Sequence, residues 1–450
     1  MIGTDDQKGA ITVGVRQSAG NGNGASAADL DKLYEALDAR LADSDSRLLE
    51  RYPGESTRRQ PVHTVYVPAD RVHAGLAREW GEQAARALRD FAPDAASLAA
   101  ATGLDAAAVA ECLPRVHNKL RAEPIEDLRV DLEDGYGNRP DDEEDAHVVA
   151  AARALCADLG SGQAPPYFGV RMKGMEAAGR RRGMRTLAMF LDTLLEGAGE
   201  LPEGLRVTLP KITSVHQVEA MVWVAEELEK RLGLAAGRLG FELQIETPQS
   251  ILAPDGTAAV ARMIHAGAGR DGGPGRVTAL HYGTYDYSAA CGVTAAFQSM
   301  AHPAADHAKA VMQVAAAGTG VWLSDGATNV LPVGSAEQVH AAWKLHAGLV
   351  RRSLEHAYYQ GWDMHPHQLP TRYLATFGFF REAFAPAAER LKAYIDASGG
   401  GVLDEPATAQ ALASALVRGL RCGALDEGEV TAATGMETAA LTALAGRRVG

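Results

Sequence analysis

The sequence predicts an α/β chain folded as a (β/α)8 TIM barrel, with an N-terminal helical extension and a C-terminal helical appendage. Three observations predict it. Eight short β-rich runs alternate along the chain with segments of helical period. Several of the helical segments carry their own start and stop residues. Run after run also ends on a charged residue, as in LRVDLED at 128–134, YFGVRMK at 167–173, FELQIET at 241–247 and ALHYGTYD at 279–286. A doubly wound sheet alternates too, but eight units with polar strand ends throughout favour a closed barrel, whose chemistry gathers at the C-terminal strand ends.

Taken in order, residues 1–28 read as a disordered N-terminal arm, because RQSAGNGNGASAA at 16–28 has no apolar period. The barrel domain is expected over 29–370. It opens with a helix at 30–49, and HTVYVPAD at 63–70 supplies the first strand. The gap to the second strand at 128–134 is too long for one crossover, so it holds a helical insertion at about 95–122, DAASLAAATGLDAAAVAECL. Strands follow at 167–173, 206–212, 241–247, 277–286 and 318–325, with a weaker one at 362–365. The clearest helix, 214–232, starts at a Ser-x-x-Gln capping box (Ser214, Gln217) and stops at Gly233. Thr247 and Pro248 offer a cap and a first helical residue directly after the fifth strand. Beyond 370 the pattern turns helical, at 373–397 and 406–418 with GGG at 399–401 between, so 371–450 is read as the C-terminal helical segment.

At 450 residues and 46% hydrophobic, the chain can bury a large core. No apolar stretch approaches the roughly 20 residues of a membrane span, and the first residues lack the basic and apolar regions of a signal peptide. No membrane partner and a cytoplasmic location are therefore expected. Cys112, Cys156, Cys291 and Cys422 are scattered without a CxxC pair, which points to reduced thiols. A net charge of -13 argues against nucleic acid, and the basic cluster Arg180, Arg181, Arg182 and Arg185 reads as a solvated helix start.

Glu246 and Asp286 end adjacent strands five and six. Two carboxylates there, without nearby Cys or paired His, suit a hard, oxygen-seeking ion that keeps several waters, Mg2+ or Mn2+. Alternatively, Glu246 caps the helix that follows and Asp286 makes a turn. Arg171 closes the third strand, and its planar fork suits the carboxylate of a 2-oxo acid and charge developing on an enolate oxygen. Lys211, ending the fourth strand, is a further substrate-binding residue or the ion-pair partner of a neighbouring carboxylate. Asp131, Glu133 and Asp134 crowd the end of strand two, where a nearby cation would offset their repulsion and make them a supporting ring behind the metal. Helix capping ahead of NRPDDEED is the alternative. His365 and His367 can shuttle a proton or serve a structural role.

The ordered series PAD (68–70), DLED (131–134), RMKG (171–174), LPK (209–211), IET (245–247), GTYDY (283–287) and HPHQ (365–368) resembles the citrate lyase β-subunit and malyl-CoA lyase group of the phosphoenolpyruvate/pyruvate barrel superfamily. The likeness runs from about residue 63 to 410. RVTLPKITSVHQVEAMVW and ALHYGTYDYS are similar to malate synthase segments as well. The resemblance implies that Glu246 and Asp286 bind Mg2+, that Arg171 contacts the 2-oxo acid, and that Asp404, in GVLDEPATAQALASAL, acts as acid or base. In that group such an aspartate often serves a neighbouring subunit, which implies a homo-oligomer. Asp404 also stands where a residue would cap a helix beginning at Pro406. The chain departs from the pattern at Tyr285, where an acidic residue is usual, at RMKG, and in the Gly-rich stretch GAGRDGGPG.

The expected activity is a Mg2+-dependent carbon-carbon lyase or aldolase reaction on a small hydroxy acid or its CoA thioester, releasing or capturing a 2-oxo acid such as glyoxylate or pyruvate. A malate synthase-like condensation using acetyl-CoA, or a barrel that binds without catalysing, are the alternatives. None of these residues identifies a CoA site.

Overall fold

The computed structural model describes residues 27–267, 275–396 and 406–446. The predicted arm lies outside the described residues except for Ala27 and Ala28, which open helix α1 (Ala27–Arg51) and so correct the boundary set at 28. Most of GAGRDGGPG and residues 397–405, which include Asp404, also lie outside them. The chain divides into two units at Arg51. In the first, α1 exposes Leu33, Tyr34, Leu37, Leu41 and Leu48.

The second unit holds β1 (His63–Pro68), then α2 (Leu76–Phe91), α3 (Ala95–Thr102) and α4 (Ala106–Ala122) before β2 (Asp127–Asp131). The predicted insertion is thus α3 and α4, each opened by an aspartate, Asp94 or Asp105, whose carboxylate accepts a backbone N–H of the first turn. Regular alternation follows: α5 (Asp141–Gly160), β3 (Tyr167–Arg171), α6 (Arg180–Ala198), β4 (Leu205–Leu209), α7 (Val215–Leu232) and β5 (Phe241–Ile245). Next come α8 (Pro248–Ile251), α9 (Ala259–Ala266), β6 (Val277–Tyr282), α10 (Thr284–Ala290), α11 (Pro303–Ala316), β7 (Trp322–Ser324), α12 (Ala336–Glu355) and β8 (Gly361–Asp363). Helix α7 starts after Ser214 and ends at Gly233, as expected, but the capping box does not form. Gln217 Oε1 instead accepts the N–H of Thr213, and the Ser214 side chain makes no cap bond. The cluster at 180–185 opens α6, with Arg180 and Arg181 exposed as expected of a solvated helix start, while Arg182 and Arg185 both bind Asp145 on α5.

All eight strands are parallel, in the order β7-β6-β5-β4-β3-β2-β1-β8. A bridge between Ser324 and Gln360 joins the two ends, with Asp325 N–H donating to Gln360 O at 2.8 Å, so the barrel closes. Strand side chains alternate between two environments. Val65, Leu128, Val130, Phe168, Val170, Val207, Leu243 and Leu280 belong to the apolar core shared with the helices. The other set meets inside the barrel, because Arg129 on β2 reaches Glu242 on β5 at 2.8 Å although those strands are not neighbours.

This interior is ionic. Arg129, fully buried, donates to Asp127 and Glu242, which also accept from Thr64 and Thr208. His281, Tyr66 and Trp362 cover the cluster: the Tyr66 hydroxyl and Trp362 Nε1 approach His281 Nδ1 at 3.4 and 3.2 Å. Burial raises the Asp127 carboxyl against the pull of Arg129, whereas Glu242 is held well below the usual carboxylate range as Arg129 and His281 outweigh its burial.

The C-terminal helices α13 (Leu369–Asp396), α14 (Pro406–Cys422), α15 (Glu427–Thr434) and α16 (Thr438–Ala445) have a small core of their own, including Leu391, Ala413, Leu416, Val430 and Leu441. Among the described residues no single helix is long and apolar enough to cross a membrane.

Candidate active site at the barrel mouth

The C-terminal strand ends bring Asp131 (β2), Arg171 (β3), Lys211 (after β4), Glu246 (after β5) and Asp286 (in α10, after β6) to one mouth. Arg171 clamps Asp131 through Nε and Nη2, both at 2.6 Å. Its remaining nitrogen, Nη1, lies 3.4 Å from Gln244 Oε1 and 3.5 Å from Glu133 Oε2, and the Tyr66 ring packs 4.8 Å from the guanidinium carbon. Asp131 also accepts the N–H groups of Glu133 and Gly135, so it ties the loop after β2 to the arginine. A Cβ on Gly135 would lie 2.4 Å from Asp131 Oδ2, so only glycine fits that turn.

Lys211 adopts a left-handed backbone, φ 51°, which is uncommon for a residue with a side chain. Three bonds hold it there: its N–H donates to Glu246 Oε1 at 2.7 Å, and its ammonium binds Glu133 and Asp134, each at 2.5 Å. Burial opposes the ammonium charge, but Asp134 and Glu133 outweigh it and keep the lysine charged. The ion-pair reading of Lys211 therefore has a geometric basis, and the acidic cluster divides, with Asp131 serving Arg171 while Glu133 and Asp134 serve Lys211. Glu133 is nonetheless raised, chiefly by burial, and Asp134 is lowered because Lys211 overcomes its burial.

Glu246 has no such compensation. It is 2% exposed, does not cap α8, and binds only the Lys211 N–H among the described residues. Burial pushes its carboxyl up to about 8, and the charges of Asp286 and Glu133 add to that rise against the opposing pull of Arg171. Gly283 lies directly over it, where a Cβ would come within 2.5 Å of the Glu246 side chain. Asp286 is exposed in the first turn of α10, a favourable place for a negative charge, and makes no hydrogen bond or ion pair among the described residues. Gln244 is fully buried between these groups, and its Nε2 donor has no partner among the described residues.

No three His, Cys, Asp or Glu side chains form a ready metal cage among the described residues. Mg2+ does not require one, since it is commonly held by one or two carboxylates with water and substrate oxygens completing the shell. Glu246 and Asp286 fit that donor set, because an uncompensated buried carboxyl beside a free carboxylate is where a cation would be most stabilising.

Sequence reasoning missed Tyr66, Gln244 and Gly283. Gln244 was accessible from FELQIET, where Glu242, Gln244 and Glu246 alternate onto one face; nothing local in the sequence points to Tyr66. His365, at the end of β8, is held at about 4 by burial and the neighbouring His367, and its Nδ1 accepts the His367 N–H.

A pH dependence follows from Glu246. A carboxyl raised in the folded state retains its proton where the unfolded chain has released it, so metal-free stability should fall as pH rises from about 4.5 toward 8. In chelator-treated protein, Glu246→Gln should melt above wild type by an amount that grows across this window, on the order of a few kcal/mol at the upper end. A constant difference from pH 5 to 8 would contradict this.

Comparison with solved structures finds the same architecture in a citrate lyase. A citrate lyase from Burkholderia xenovorans LB400 is 23% identical, with a TM-score of 0.51 over 72% of this chain and 92% of that one. A malate synthase from Haloferax volcanii, solved with magnesium and glyoxylate, is 15% identical at TM-score 0.49, covering 88% of this chain and 100% of its own. Protein CitE from Mycobacterium tuberculosis, solved with magnesium, acetoacetate and coenzyme A, is 18% identical at TM-score 0.47, covering 82% and 100%. At such identities the citrate lyase likeness is one of fold. No curated protein matches the chain. Residues 41–449 match the profile of a domain of unknown function (DUF6986), and by that match, which spans most of its 450 residues, the chain belongs to the DUF6986 family.

Proposed function

We propose that the protein is a Mg2+-dependent carbon-carbon lyase of the aldolase or citrate lyase kind, acting on a small hydroxy acid or its CoA thioester and releasing or capturing a 2-oxo acid. The observation that carries this reading is the uncompensated carboxyl of Glu246, buried beside Asp286 and within the field of Arg171 at the barrel mouth. Glu246 and Asp286 would hold the ion, which when bound supplies Lewis-acid polarisation of the substrate's carbonyl and carboxylate oxygens.

The chain's own groups supply the rest. Arg171 Nη1 is the guanidinium nitrogen not committed to Asp131, and it offers positive charge to an oxyanion at the mouth. Gln244, whose Oε1 accepts from Arg171 Nη1, offers its Nε2 as a donor that is unengaged among the described residues. Tyr66 packs against Arg171 and shields that face of it from water. Lys211, through its N–H, orients Glu246. Asp404, outside the described residues, is proposed to move the proton at the nascent enolate carbon, from a neighbouring subunit of a homo-oligomer. Citrate lyase, malate synthase and CitE having been solved on related barrels, two of them with magnesium, supports this reading without identifying the substrate.

The deciding experiment is turnover with Mg2+ against a panel of 2-oxo acids paired with aldehydes and with acyl-CoA thioesters. Retro-aldol release of glyoxylate or pyruvate is expected. Exchange of acetyl-CoA methyl protons that depends on glyoxylate would instead assign a malate synthase-like condensation. Absence of both turnover and Mg2+ binding would leave a binding barrel.

A further inference from the structure

At the opposite end of the barrel, a cleft opens between the strand starts and the C-terminal helices. Arg58 and Gln60 precede β1, Trp322 begins β7, Tyr359 precedes β8, and Arg418 and Arg421 project from the last turns of α14. Its interior volume of about 50 Å3 exceeds the ~10–15 Å3 that one water needs, and it adjoins a second hollow of about 220 Å3 sharing Gln60, Trp322, Tyr359 and Arg418.

Three arginines, Arg58, Arg418 and Arg421, line this cleft together. Elsewhere many partly buried arginines face carboxylates, Arg59 with Glu123, Arg276 with Glu229, Arg352 with Asp306, Arg372 with Asp363 and Arg381 with Glu429, while Arg206 and Arg238, each on its own, bind backbone carbonyls. Among the described residues, Arg58, Arg418 and Arg421 have no carboxylate partner. Arg418 donates to Gln60 Oε1 at 3.0 Å and stacks 4.2 Å from the centre of the Tyr359 ring. Arg421 donates to the carbonyls of Arg58 and Thr57 at 3.0 and 2.6 Å. Burial, and then the charge of Arg418, lower the Arg421 guanidinium below its usual value. The one carboxylate lining the cleft, Glu55, is exposed and makes no ion pair among the described residues.

Carbonyl bonds and ring stacking fix the two α14 guanidinia in place yet leave several of their N–H donors unused, and among the described residues no carboxylate pairs with them. Preorganised guanidinium forks of this kind match the oxygens of a phosphate group. We propose that this cleft is a second ligand site, separate from the barrel mouth, that binds the phosphate of a small phosphorylated compound. Arg58, Arg418 and Arg421 hold the phosphate, while Trp322 and Tyr359 form the wall beside it. Because Arg418 and Arg421 belong to α14 and the remaining groups to the barrel floor, bound phosphate ties the C-terminal helices to the barrel.

The test uses the full chain without Mg2+, with inorganic phosphate as the probe and chloride at matched ionic strength as the control. Phosphate at 10 mM is expected to raise the melting temperature by about 2 °C or more, since a ligand that binds only the folded state stabilises it, and chloride is expected not to. The Arg418→Gln/Arg421→Gln variant should lose this shift while keeping the shift that Mg2+ produces at the mouth. Should that variant fold poorly, Arg58→Gln, on an exposed residue, should weaken phosphate binding about tenfold by calorimetry with an unchanged phosphate-free melting temperature. The proposal is overturned if phosphate and chloride act alike, or if the phosphate response survives undiminished in the arginine variants.

Discussion

The Glu246→Ala/Asp286→Ala double variant is expected to lose Mg2+-dependent turnover by roughly 10^3-fold or more, and to lose the thermal shift that Mg2+ produces in wild type. The magnitude rests on what the two carboxylates would hold, because electrostatic stabilisation of developing charge is usually the largest single contribution to such a reaction. The fold should survive. Asp286 is exposed and unpaired among the described residues, so its removal should lie within about 0.5 kcal/mol of neutral. Truncating Glu246 removes a buried carboxyl that is already costly to ionise, though it also leaves a small void under Gly283. Circular dichroism, and metal-free melting near pH 5 where wild-type Glu246 still keeps its proton, should therefore match wild type closely while activity disappears. Full activity in the double variant would sink the metal assignment.

The barrel was legible because strand and helix periods differ so clearly, and because each crossover carries its own punctuation, such as Gly233 after α7 and Pro248 after Thr247. Positions of Glu246, Arg171 and Lys211 followed from counting to the strand ends. Their pairing did not. Asp131 reads as one of three crowded acids in DLED, and only the register that sets Asp131 opposite Arg171 shows that it belongs to the arginine while its two neighbours belong to Lys211. The capping box at Ser214 failed for a related reason, since Gln217 found a nearer donor one residue earlier in the chain.

The ionic lumen is the other feature that strand-end counting hides. A barrel interior is ordinarily filled by bulky branched residues, yet here Asp127, Arg129 and Glu242 occupy it. DLRVD carries these charges in strict alternation with Leu128 and Val130, so the signal was present and lay in the period. What could not be read locally is that Glu242, on a strand far along the chain, supplies the second carboxylate. The consequence reaches the site, because Tyr66 spans the two levels, lying under Arg171 and touching His281 above the Arg129 cluster.

Arg171→Ala is expected to cost about 3–5 kcal/mol of stability, the usual penalty for removing one partner of a buried ion pair. Asp131 is 1% exposed and would keep only its two backbone N–H donors, while Glu133 and Glu246 would lose the cation that opposes their rise. Arg171→Lys should be milder in stability and still severe in function, since an ammonium cannot span both Asp131 oxygens and also present a nitrogen toward a ligand. Binding of a 2-oxo acid, followed by calorimetry with Mg2+ present, should weaken at least tenfold in this variant. A third variant separates scaffold from site. In Arg171→Gln/Asp131→Asn both charges go, the Asn oxygen can still accept the N–H of Glu133 or Gly135, and most of the stability lost in Arg171→Ala should return. Oxo acid binding should not return with it. If the neutral pair restored binding as well as stability, Arg171 would be a residue that merely positions the loop after β2, and the oxyanion would have to be held by Gln244 and the metal alone.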